Sequence, residues 1–120
     1  SGWKGVAWLY AHGHIAGAYA SNEEPLITSW YLPTIPRSVD DSSAQVVAIA
    51  KFPNDPIEYN LPRIKREYHL AARIEVRGRR VLDVYTRARP LRGVQIVRVR
   101  DVEREVEKTR IVAMAVGFER

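Results

Sequence analysis

From Tyr68 onward the chain alternates. Tyr68, Leu70, Ala72, Ile74 and Val76 fall on one parity, and His69, Ala71, Arg73, Glu75 and Arg77 on the other, the period of a half-buried strand. A second run places Leu82, Val84 and Thr86 on one face. If Gly78 to Arg80 form a three-residue loop, Val76 pairs with Leu82 and Ile74 with Val84, and both apolar faces point the same way. A two-residue loop would set Ile74 against Asp83. The pattern therefore predicts a hairpin over Tyr68 to Arg89, with an Arg77-Gly78-Arg79-Arg80 tip and Gly78 available for a positive φ.

The rest of the pattern is read around this hairpin. Trp3 to Tyr10 and Ile15 to Ser21 fit two strands joined around Ala11-His12-Gly13-His14, or a single helix. Gly5, Gly13 and Gly17 favour bent strands, since each would cost a helix roughly 1 kcal/mol. Asn22-Glu23-Glu24-Pro25 reads as a turn and Leu26 to Leu32 as a short strand rich in β-formers. Leu32 to Ser43, with two prolines and a Ser/Asp cluster, is a long loop and the expected mobile element. Ala44 to Lys51 is apolar throughout, as in a central strand covered on both faces. Phe52 to Pro56 ends it, and Ile57 to Leu61 is a candidate short strand before the basic stretch Arg63 to Arg66.

Beyond the hairpin, the apolar parity of Val94 to Arg100 switches between Ile96 and Val97, which a β-bulge would repair. Asp101 to Lys108 is open between one or two helical turns capped by Asp101 and strand ends around a charged turn. Thr109 to Phe118 reads as a last, central strand. Short strands punctuated by turn residues predict an all-β domain, 1–120, built as a small partly open barrel or a sandwich of about seven strands with room for one short helix. The barrel resembles the oligonucleotide-binding type in architecture. The alternative is an α+β domain in which 3–20 or 101–108 is helical.

At 120 residues the chain can bury a single core without disulfides. The absence of cysteine removes thiol chemistry and thiolate-bound zinc, and fits a reducing interior. No run approaches the roughly 18 apolar residues of a membrane span, so the expected location is cytoplasmic. The net charge of +5 is unevenly placed. Residues 1–60 carry −3 and residues 61–120 carry +8, and 15 of the 19 basic residues are Arg, whose planar donor fork suits phosphate and carboxylate. The competing reading is an Arg- and Glu-rich ion-pair surface of the kind found in heat-adapted proteins.

The candidate chemistry centres on the hairpin. Arg73, Arg77, Arg79, Arg80, Arg87, Arg89 and Arg92 form one continuous basic region of sequence, and Tyr85 shares a face with Arg73 and Arg77 as a minimal base-stacking site. Glu75 and Asp83 fall on that face as well and would partly neutralise it. A second cluster, Lys65, Arg66, Arg98, Arg100 and Arg104, merges with the first only if the strand carrying Arg98 and Arg100 lies beside the hairpin. His12-Gly13-His14 resembles the His-x-His of cupin barrels, but Ala16 to Tyr19 supply no acidic residue where one is expected. Glu23-Glu24 and Asp40-Asp41 read as loop carboxylates, and no nucleophile elbow or phosphate loop is present. The sequence thus predicts a non-enzymatic domain without metal or cofactor that binds single-stranded or structured nucleic acid through its basic hairpin. The alternative is a non-enzymatic interaction or assembly subunit whose acidic, aromatic first half and basic second half dock onto other proteins or head-to-tail onto its own copies. Trp3, Trp8, Trp30 and Tyr31 are its candidate docking or stacking aromatics if exposed.

Overall fold

The computed structural model describes residues 1–40, 42–54 and 59–117, the last five by backbone alone. The elements in chain order are α1 (Trp3–Ala11), β1 (Tyr19–Ser21), α2 (Pro25–Tyr31), β2 (Val46–Ala50), α3 (Leu61–Glu67), β3 (His69–Val76), β4 (Arg79–Thr86), β5 (Gln95–Arg98) and α4 (Val99–Gly117). The strands form one open mixed sheet in the order β1-β2-β4-β3-β5. β1 runs parallel to β2, β4 is antiparallel to both its neighbours β2 and β3, and β5 runs parallel to β3. Four of the five strands therefore end at the same edge of the sheet.

This corrects the expected all-β barrel or sandwich: the fold is mixed α/β, and its sheet stays open with β1 and β5 as edges. Five expected strands are helical in whole or in part, among them 94–100, whose last two residues open α4. Residues 3–10 lie in α1 and 26–31 in α2, where Pro25 occupies a first-turn position that needs no N–H. Residues 109–117 continue α4, which also takes in 101–108. The expected strand at 57–61 lies partly outside the described residues, and from Leu61 the chain is α3, capped by Asn60 accepting from the Arg63 N–H at 3.1 Å. The apolar, β-branched stretches misled because the helices here are buried on one side by packing, which overrides local propensity.

The sheet has a core on each face. On one face α1 and the start of α4 cover Val46, Ala48, Ala72, Ile74, Leu82, Val84 and Val97. On the other, Ile64 of α3 packs with Ala20, Val47, Tyr68 and Tyr85. β2 is thus covered on both sides, as its apolar run implies.

The hairpin forms with a different register from the one expected. Its loop is the pair Arg77-Gly78, both at positive φ, 51° and 77°, the requirement of a type I′ turn. Val76 pairs with Arg79, Glu75 with Arg80, and Ile74 with Leu82. A bulge at Val81 absorbs the odd residue, so a two-residue loop buries the apolar faces together without setting Ile74 against Asp83. A second irregularity at Ala71 moves Leu70 and Tyr68 to the α3 side. No bulge is needed at Ile96 and Val97, because β5 is an edge strand on which Val97 is buried and Ile96 is 48% exposed.

Candidate functional site

The β3–β4 pairing sorts the basic residues by what lies opposite them. Arg73 pairs with Asp83 in register and Glu75 with Arg80, while Arg98 of β5 lies 3.9 Å from Glu75. Arg80 also grips Asp83 with both arms of its guanidinium, at 2.6 and 2.5 Å. The middle of this face is an ion-pair ladder. Arg80 and Arg98 belong to it, whereas Arg73, although in register with Asp83, has its Nε buried with no hydrogen-bond partner. Tyr85 is 6% exposed, and burial raises its phenol pKa above the ordinary value, so its ring offers no platform for a base.

Arg87 is occupied as well. Its guanidinium lies over the Tyr68 ring at 4.8 Å, and it donates to the carbonyls of Ala44, at 3.1 Å, and Ser42. Tyr68 Oη donates to the same Ala44 carbonyl at 2.8 Å. The pair fastens the entry to β2. Arg89 and Arg92 are exposed at the end of the sheet where β4 finishes, near His14 and Ile15.

Arg77 and Arg79 lie at the opposite end of the hairpin, and both are exposed. Beside them lie Arg98, the last residue of β5, and Arg100 in the first turn of α4, because the parallel pairing of β5 with β3 ends its strand at the same edge. Glu75, Arg77, Gly78, Arg98 and Arg100 line one depression of about 150 Å³. Its acidic contacts are few and long: Arg98 to Glu75 at 3.9 Å and Arg100 to Asp101 at 4.0 Å. The sequence region read as continuous is therefore split between two ends of the sheet. The two clusters meet only at the tip, through Arg98 and Arg100.

The same end carries residues that sequence reasoning left out. Lys51 donates its backbone N–H to the Val81 carbonyl at 3.0 Å, which sets Lys51 and Phe52 next to the start of β4. Phe52 is 87% exposed. Their loop is held from below: Asn22 exchanges two 2.8 Å hydrogen bonds with the backbone of Ala50. The buried Glu23 carboxylate accepts from the N–H groups of Asn54, at 2.7 Å, and Glu24, at 3.0 Å. The only signal for Phe52 was an aromatic placed directly after an apolar strand and before a proline.

The histidines take a structural part. His12 and His14 stack on Trp8, with ring centroids 4.4 and 5.1 Å away. His12 Nε2 lies 2.8 Å from Glu105, and the Trp8 indole N–H donates to the other oxygen of Glu105 at 2.6 Å. Among the described residues no group of three or more His, Asp or Glu is arranged to hold a metal ion. Of the loop carboxylates, Asp40 accepts from Ser42 and Ser43, which lowers its pKa; Asp41 lies outside the described residues. Among the described residues no helix is long and apolar enough to cross a membrane.

No family model matches the chain, and neither a curated protein nor a solved structure matches it.

Proposed function

We propose that the protein binds nucleic acid at the carboxyl-terminal edge of its sheet, by neutralising phosphates rather than by catalysis. Arg77, Arg79, Arg98 and Arg100 take the backbone, with Lys51 beside them, and Phe52 offers one exposed ring for an unpaired base. The observation that carries this reading is the β3–β5 pairing, which sets Arg98 and Arg100 around one depression with Arg77. Open α/β sheets place their ligands outside the carboxyl ends of their strands, which supports the same edge. Arg73, Arg80, Tyr85 and Arg87 act in the scaffold, and Arg89 and Arg92 stand apart. With this role we propose a cytoplasmic location.

The test is fluorescence anisotropy of labelled single- and double-stranded oligonucleotides titrated at two salt concentrations. Binding that falls steeply with salt, and is lost in Arg79→Ala with Arg98→Ala, is expected. Absence of binding even at low salt overturns the reading and leaves the arginines as surface ion pairs. Phe52→Ala should weaken single-strand binding by about 1–3 kcal/mol and leave duplex binding unchanged.

A further inference from the structure

Among the described residues, α4 is held to the core only at its beginning. Val99 and Val102 are buried in the core, whereas from Glu103 to Val112 every residue is exposed. From Glu103 to Gly117 the helix runs about 22 Å. Isolated helices of this length are marginal in water. Its distal sequence, Ile111-Val112-Ala113-Met114-Ala115-Val116, is apolar through more than a full turn, so no side of that turn is suited to solvent. Ile111 is 59% and Val112 62% exposed.

Alongside the near half of α4 runs a groove of about 560 Å³. Ala7, Trp8, Ala11, Tyr31, Val102 and Val106 give it apolar walls, with Lys4, Glu103, Glu107 and Arg110 at its rim. Groove and apolar end lie next to each other on a single helix.

We infer that the occupant of this groove is α4 of a second copy. With two α4 helices antiparallel about a two-fold axis between Lys108 and Thr109, Arg110 faces Glu107 of the other copy and each apolar end lies over the other chain's groove. Both contacts form at once. A closed, isologous pair results, with every groove filled and every end covered. The charges agree with this register. Arg110 already lies 3.8 Å from Glu107 within its own chain, and across the axis the two residues from each copy form an alternating ring of four charges rather than a like-charge clash. The inference does not depend on nucleic-acid binding, since the groove lies on the helix-covered face and the arginine cluster at the sheet edge.

Sedimentation equilibrium of the full chain at micromolar concentration is the test, with circular dichroism as the check on folding. A mass of twice 13.7 kDa is expected. Ile111→Glu with Val112→Glu removes the insert and Ala11→Trp fills the groove. All three positions are exposed in one chain, so each variant should give a folded monomer. A wild-type chain that sediments as a monomer overturns the inference, as does a dimer that both variants leave intact. A monomer that co-sediments with anionic phospholipid vesicles through the same two residues assigns the apolar end to a lipid surface and overturns it too.

Discussion

Gly5 counted in the sequence as evidence against a helix, yet it sits inside α1. A Cβ at this position would meet Ile74 Cγ2 at 2.8 Å and Cδ1 at 3.1 Å. The glycine lets the helix backbone approach β3, a requirement invisible until the partner strand is known. Gly5→Ala should gain up to about 1 kcal/mol in helix propensity and lose about 1–3 kcal/mol by overpacking a fully buried, β-branched neighbour. The net expectation is a lower urea midpoint with an unchanged slope. A raised midpoint would show that Ile74 gives way freely. Tyr85 teaches the complementary point. Its parity was legible, but parity does not say whether a face is open, and α3 covers this one.

The β3–β4 hairpin was legible because alternation and a Gly in a basic turn are local signals. Its register was not, because a bulge at Val81 and a shorter loop compensate each other and leave the same residues inside. α1 and α4 were misread for a different reason: their apolar residues support either period. The contact between them rests on a second shared feature, the His12 clasp. His12 Nδ1 faces the Trp8 carbonyl at 2.9 Å and Nε2 faces Glu105 at 2.8 Å. Both partners accept, so only the imidazolium satisfies both.

The Trp8 carbonyl and then the Glu105 carboxylate accordingly raise the His12 pKa above its ordinary 6.5. Hydrogen bonds from Trp8 and then His12 hold the Glu105 carboxyl below its ordinary 4.5. The two signs define a window. The histidine's contribution is complete below 6.5 and is lost as pH rises through its raised folded value. The glutamate's is complete above 4.5 and is lost as pH falls through its lowered folded value. Unfolding midpoints of wild type and His12→Ala should therefore differ most between those limits and converge above neutrality. A difference that stays constant from mildly acid to alkaline pH would show that the clasp works without its proton.

At the scale of the whole molecule, what the sequence hid was strand order. The seven aligned basic positions looked continuous because they are close in the chain, but a strand carries its two ends apart. β4 starts at Arg79 and ends at Thr86, just before Arg87, and its eight residues span roughly 23 Å by the rise of a strand. Only the insertion of β3 between β4 and β5 recruits Arg98 and Arg100 to one of those ends. This geometry makes the two ends separable by salt. Each phosphate neutralised on a duplex contributes a slope of about −0.9 to log K against log salt. Arg77→Asn with Arg79→Ala should flatten that slope by about 2, with asparagine chosen because it tolerates the positive φ that Arg77 adopts. Arg89→Ala with Arg92→Ala removes the same formal charge from the other end and should leave the slope unchanged. Equal effects from the two pairs would mean that the protein responds to its net charge alone, and the tip would lose its claim to be a site.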